Sequence, residues 1–270
     1  MLENLSSPGA SLEAIRARRP LVQNITNPVA MDLVANLLLA VGASPVMAEG
    51  AEEVEDFVSL ADALTINIGG FTGARLSAAS LAASKANALG KPWALDPVAV
   101  GATHFRRHAA SHLLAFRPSV LRGNASEILA LGGAEPSGGQ GTDSGDSAES
   151  AFPAARALSR TIPTVVMATG ARDVATDSET IVRVGNGNAL MTRVTAVGCA
   201  LTALTGACLA VAPSPLAASV HALAILGVAG EIAARKATGP GSFRSALIDT
   251  LHALDREELD RAADIEVVGP

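Results

Sequence analysis

Tyrosine is absent from this 270-residue sequence, tryptophan occurs once, and aromatic residues make up only 3% of it. A core built without large rings must come from Ala, Val, Leu and Ile, which suits helices packed on a parallel sheet. Charged residues are also few, 17% against 49% hydrophobic, which excludes disorder over most of the length. No run of Lys or Arg occurs and the formal net charge is −6, so nothing in the sequence marks a nucleic-acid or acidic-membrane partner. The stretch MLENLSSPGASLEAIRARRP lacks the continuous apolar core of a signal peptide, and no apolar stretch is read as long enough to span a membrane, so a cytosolic protein is expected. Cysteine occurs twice. Cys199 and Cys208 lie nine residues apart on one expected helix, about 13 Å along its axis, too far for a disulfide. No CxxC and no Cys/His zinc spacing is present, which leaves the two thiols as packing or as chemistry.

The length fits one large α/β unit, and the whole chain, 1–270, is expected to form a single domain. Helical and strand-like segments alternate from residue 29. The stretch 29–43 reads as a buried helix, followed by a short strand at 44–48; 63–69 is a β-rich run ended by glycine, and the Ala-rich stretch 74–89 is a helix closed by Gly90. WALDPVAVG begins as a strand that Pro97 ends, SVLRG is another, and PTVVMATG is apolar, β-branched and stopped by Thr-Gly. Parallel strands joined by helical crossovers follow, giving a three-layer αβα arrangement around a mostly parallel sheet. The Gly- and Ser-rich segment 132–147 reads as a flexible surface loop. Beyond it, DVATD and TIVRVGNG predict a short antiparallel pair at the sheet edge, then helices over 198–212, 215–236 and 242–254, and a charged, peripheral tail.

Ligands of open parallel sheets bind beyond the carboxyl ends of the strands, and Asp96, Arg122 and Thr169 each fall at such an end. Neither GxxxxGK nor a GxGxxG after a strand occurs, so an anion site would need another helix N-terminus. TAVGC supplies one. Amides near Gly198 and the positive end of the helix dipole favour negative charge there, and the same field is expected to lower the Cys199 pKa and make the thiol a base or nucleophile; the plainer reading is a small buried side chain. NASE also divides. It is a capping box between Asn124 and Glu127, or a helix face on which both address a hydrated cation, since magnesium needs only one or two carboxylates and Asp96 with Glu127 would suffice. His104, His108 and His112 at helical spacing beside Arg106 and Arg107 read as a basic solvated face, and Cys208 as packing.

Together the stretches QNITNPVA, ANLLLAVGASPVMA, INIG, WALDPVAVG, LRGNASEI, MATG, LMTRVTAVGCAL and GPGSF resemble the hydroxyethylthiazole kinase family of ribokinase-like fold, and they run in that family's order. The resemblance implies ATP- and magnesium-dependent phosphorylation of the primary alcohol of 4-methyl-5-(2-hydroxyethyl)thiazole, the thiazole half of thiamine, by a homotrimer with substrate sites between subunits. Cys199 then sits where sugar-kinase relatives carry a catalytic Asp. Met47, Asn27, Gly69 and Ala196 take substrate-contact roles, Arg122 and Thr169 are ATP ligands, and Asp96 with Glu127 form the magnesium pair. Two positions depart from the pattern: Ala196-Val197 precedes Gly198-Cys199 where the family usually has Gly-Thr or Gly-Ala, and Gly70 stands where many relatives have Thr.

A thiol is mostly protonated at neutral pH unless its pKa is shifted, so it is expected to act as a weaker base there than a carboxylate, and slow turnover is expected. The apolar Met47, Ala196 and Val197 suit a methylated heteroaromatic better than a sugar. Three other readings stay open at this point: a hydroxymethylpyrimidine kinase of the same fold, a thiol hydrolase using Cys199, and a non-catalytic ligand-binding homologue.

Overall fold

The computed structural model describes residue 5, residues 7–133 and residues 148–268. Among the described residues, nine strands form one sheet in the order β2-β1-β3-β4-β5-β6-β7-β8-β9. The parallel part comprises β1 (Leu21–Ile25), β2 (Ser44–Val46), β3 (Ala63–Asn67), β4 (Trp93–Asp96), β5 (Val120–Asn124) and β6 (Val165–Thr169). An antiparallel edge follows, made of β7 (Asp173–Thr176), β8 (Ile181–Val184) and β9 (Ile265–Val267). Every residue of β3 and β4 is buried, because helices cover both faces of the sheet and no alternation with solvent is needed.

One face carries α1 (Pro8–Arg18), α2 (Met31–Val41), α8 (Val197–Leu209), α9 (Pro215–Lys236), α10 (Pro240–Ala253) and α11 (Arg256–Ala262), whose buried residues form one cluster with Val22, Ala94, Val120 and Met167 of the sheet. The other carries α3 (Val54–Leu60), α4 (Gly73–Ala88), α5 (His104–Leu114), α6 (Ala125–Leu131) and α7 (Phe152–Thr161), packed on Ile25, Ile66, Leu95, Leu121 and Val166. The three-layer arrangement expected from the alternation is therefore the observed one. Small residues let these layers approach closely: a Cβ on Gly206 of α8 would stand 2.6 Å from Thr65 Cγ2 and 3.0 Å from Val22 Cγ1.

Several boundaries shift. The helix expected over 29–43 spans Met31–Val41 and the strand expected over 44–48 is Ser44–Val46. The late helices begin at Val197 and Pro240, earlier than expected. The tail is more than a peripheral appendage, since it folds as α11 and supplies β9, which pairs with β8. The reading that no apolar stretch reaches membrane-span length is corrected by α9, whose 22 residues have the length and hydropathy to cross a bilayer; 94% of its apolar stretch is buried inside the protein, as in a core helix. The Gly- and Ser-rich segment lies, apart from residues 132 and 133, outside the described residues.

Two features of the sheet position a site. The strand order reverses between β1 and β3, which opens a crevice at their carboxyl ends. The β4–β5 ladder stops at Leu95↔Leu121, whereas β3–β4 pairing continues to Asn67↔Asp96 and β5–β6 pairing to Asn124↔Thr169. Asp96 and Arg122 therefore flank a gap between strands.

Candidate active site

Alternation along β5 buries Leu121 among the α4–α7 helices and turns Arg122 to the α8 side. There its guanidinium lies against the first turn of α8: a Cβ on Gly198 would be 2.8 Å from Nη1 and 3.0 Å from Nη2, so a larger residue there would push the guanidinium aside. Arg122 is 9% exposed; its Nη2 donates to Thr169 Oγ1 at 2.8 Å, and its Nε is buried with no partner among the described residues. The N-cap of α8, Ala196, offers no side-chain acceptor, leaving the amides of the first turn uncapped by it. A guanidinium and the positive end of a helix dipole thus face the same small space, an arrangement that an anion between them stabilises.

Ala196 adopts φ 69°, in the left-handed region. This is the position where the resemblance calls for glycine, and the backbone keeps the glycine-like conformation with a methyl group in place. Gly70 also lies at positive φ, 67°, and a Cβ there would meet only Pro28 Cδ at 3.9 Å. Its departure from threonine relaxes the turn and leaves the surrounding packing unaltered.

Asp96, 0% exposed, ends β4 at the centre of the cluster. Its Oδ2 accepts from Asn67 Nδ2 and Thr202 Oγ1, each at 2.8 Å, and lies 3.7 Å from Arg122 Nη1; Oδ1 has no partner among the described residues. Burial pushes its carboxyl up to about 7, against the pull of Arg122 and with a further push from Glu127. Glu127 is 5% exposed and is also raised, chiefly by burial. The capping box is present: Glu127 Oε2 accepts from the Asn124 N–H at 2.8 Å, and Asn124 Oδ1 from the Glu127 N–H at 2.9 Å. Glu127 Oε1 accepts from the N–H of Ala99, held at φ 53°, at 2.7 Å. Each of these oxygens keeps a second lone pair, so capping does not exhaust the carboxylate. Among the described residues no group of three or more His, Cys, Asp or Glu could hold a metal. Two buried carboxylates, one with an orphaned oxygen, still match the needs of magnesium, which takes its remaining ligands from water and phosphate.

Cys199, in the first turn of α8, is partly buried, and Asn27 Nδ2 donates to its Sγ at 3.4 Å. The expected lowering of its pKa is wrong. Burial, followed by the charge of Asp96, pushes the thiol up to about 11, and the pull of Arg122 and the amides of Asn27 and Asn67 does not compensate. Desolvation outweighs the attraction of the neighbouring Arg122 charge here. The same network holds Gly69, whose N–H donates to Asn67 Oδ1 at 2.9 Å. Met47 stands at the end of edge strand β2, half-buried like Ala196 against the α2/α8 cluster. Cys208 is wholly buried packing, and burial lifts its thiol to about 12. His104, His108 and His112 lie exposed on α5, the latter two stacked 6.1 Å apart.

Sequence reasoning missed Asn67 and Thr202. Asn67 was visible as the single amide at the end of an otherwise apolar strand, ALTIN, where a buried polar side chain needs a partner. Thr202 sits four residues after Gly198 on the same helix face, in a run of Ala and Leu that reads as packing alone. Two clefts, of about 510 and 640 Å³, lie at the opposite end of the sheet, around Arg117 and Pro163, away from this chemistry.

Residues 12–257 match the family model described as "Hydroxyethylthiazole kinase family". A hydroxyethylthiazole kinase of Rhizobium leguminosarum bv. trifolii is 52% identical over 98% of this chain and 99% of its own length. One from Cereibacter sphaeroides is 52% identical over 96% and 98%. Among solved structures, the hydroxyethylthiazole kinase protein from Pyrococcus horikoshii superposes with a TM-score of 0.89 at 42% identity, covering 97% of this chain and 98% of that one. The pyridoxal kinase from Staphylococcus aureus in complex with AMP-PCP and pyridoxal shares the fold, with a TM-score of 0.64 at 15% identity over 93% and 99%.

Proposed function

The chain belongs to the hydroxyethylthiazole kinase family, and from that premise we propose that it transfers the γ-phosphoryl group of ATP to the primary alcohol of 4-methyl-5-(2-hydroxyethyl)thiazole in the cytosol. The observation that carries the reading is the placement of Arg122 against the uncapped first turn of α8, with Cys199 on that same turn. Phosphoryl transfer needs positioning and charge stabilisation more than covalent help. The α8 amides and Arg122 receive the charge that spreads over the transferred group, and Thr169 fixes the guanidinium for the polyphosphate. Asp96, through its unpartnered Oδ1, and Glu127 would hold magnesium, which neutralises phosphate charge when bound.

Cys199 faces the acceptor alcohol. With its thiol at about 11 it is protonated at neutral pH and a poor base, so proton removal lags behind bond formation to phosphorus and turnover is slow. Met47, Ala196, Asn27 and Gly69 contact the acceptor, and one chain, 1–270, acts as one catalytic unit within a homotrimer whose sites lie between subunits. Val29, two residues beyond Asn27, is 70% exposed in the single chain, which agrees with a neighbouring subunit at this end of the sheet. A coupled ADP-release assay on three alcohols tests the specificity. The thiazole alcohol should be turned over with a kcat/KM at least about 100-fold above that for ribose, whose hydroxyls find few polar partners here, and above that for hydroxymethylpyrimidine. Equal turnover of either competitor contradicts the assignment.

A further inference from the structure

Two backbone amides, of Gly69 and Ala30, fix the direction of two side-chain amides. The Gly69 N–H donates to Asn67 Oδ1 at 2.9 Å, and since a backbone N–H only donates, the atom it meets is the amide oxygen. The Asn67 NH2 group therefore faces Asp96 and donates to Oδ2 at 2.8 Å. In the same way the Ala30 N–H donates to Asn27 Oδ1 at 3.1 Å, which turns Asn27 Nδ2 toward Asn67 Oδ1 at 3.3 Å and Cys199 Sγ at 3.4 Å. One ordered chain of hydrogen bonds thus joins the thiol to the carboxylate, and Asn67, 2% exposed, is the link both ends share.

The carboxylate end is asymmetric. Both donors, Asn67 from β3 and Thr202 from α8, address Oδ2, while the buried Oδ1 receives none among the described residues. A carboxylate with symmetric donors could present either oxygen; two donors on one oxygen, from elements on different layers, hold a single orientation. We propose that Asn67 is a positioning residue for phosphoryl transfer: its amide commits Asp96 Oδ2 to the protein, leaves Oδ1 as the oxygen that would hold the divalent cation, and through Asn27 ties the Cys199 sulfur to the same network. The proposal rests on the reading that Asp96 serves magnesium, and it assigns Asn67 no contact with substrate or metal.

The test uses Mn²⁺ as the probe, its binding read from the free-ion electron paramagnetic resonance signal in the presence of AMP-PCP, alongside kcat and KM for the thiazole alcohol. Asn67→Ala should weaken Mn²⁺ binding by about 10-fold or more, as loss of a residue orienting a metal ligand does. It should lower kcat by about 10-fold and leave the alcohol KM within about two-fold. Thr202→Val, which removes the other donor on Oδ2, should weaken Mn²⁺ in the same direction. If Asn67→Ala gives no cooperative melt, Asn67→Ser, too short to reach Asp96 but able to accept from Gly69, is read in its place with the same expectation. A folded Asn67 variant with wild-type Mn²⁺ affinity overturns the proposal, as does one whose only change is in the alcohol KM. Wild-type protein that binds no Mn²⁺ with the nucleotide overturns the magnesium reading and this proposal with it.

Discussion

Ala196 holds a left-handed φ of 69° at the turn that delivers the first amides of α8, a conformation that a Cβ disfavours by about 1–2 kcal/mol. Its replacement by glycine relieves that strain and gives back part of the gain as unfolded-chain entropy. Ala196→Gly should therefore stabilise the protein by about 0.5–1 kcal/mol, a rise in Tm of about 1–4 °C for a chain of this size; calorimetry showing an unchanged or lower Tm would place the strain elsewhere. Cys199 makes a second residue-scale prediction. Because burial raises its thiol to about 11 from the ordinary 9.0, the neutral form is the one the fold favours, and that contribution is present below the ordinary thiol range and lost as pH rises through about 11. Alkylation of Cys199 by iodoacetamide should climb about tenfold per pH unit between pH 8 and 10 without a plateau. A plateau near pH 7 would restore the lowered pKa that the sequence alone suggested. Position relative to the helix was legible in TAVGC; the depth at which the sulfur sits was not, and depth decided the sign of the shift.

At the scale of elements, α8 carries the site because it lies close against β1 and β3 through Gly206. Gly206→Ala places a methyl group 2.6 Å from Thr65 Cγ2 and should destabilise the fold by about 1–3 kcal/mol, lowering the denaturant midpoint; an unaltered midpoint would mean that the helix adjusts freely. Strands ending in Asp96 and Thr169 were legible because apolar runs stop there at a polar residue, whereas β5 runs past Arg122, expected at a strand end, to Asn124; the edge pair β7–β8 was legible from its two short runs. By contrast α1, β1, α3 and α7 were not assigned. Both α3 and α7 are short, with few buried positions, and β1 places Gln23 and Asn24 inside the sheet, where their polarity hides the strand. Asn24 Nδ2 donates within the strand to the Val22 carbonyl, but its Oδ1 accepts from Thr65, a contact that appears once β1 lies beside β3. Tertiary partners, absent from any local window, account for most of what was missed, including Asn67 and Thr202.

For the whole molecule, the strand reversal between β1 and β3 and the open β4–β5 gap bring residues far apart in sequence to one end of the sheet, while β9 and α11 close the other edge with the chain's charged tail. Sedimentation should give a particle of three times the 27.2 kDa chain mass, and a monomer retaining full activity would remove the shared-site reading. The most direct measurement is phosphorus NMR of the protein mixed with ATP, magnesium and 4-methyl-5-(2-hydroxyethyl)thiazole. A phosphomonoester resonance coupled to the hydroxyethyl methylene, growing in step with ADP and absent without magnesium, is the expected result; ATP that stays intact, or that yields only inorganic phosphate, would contradict the account.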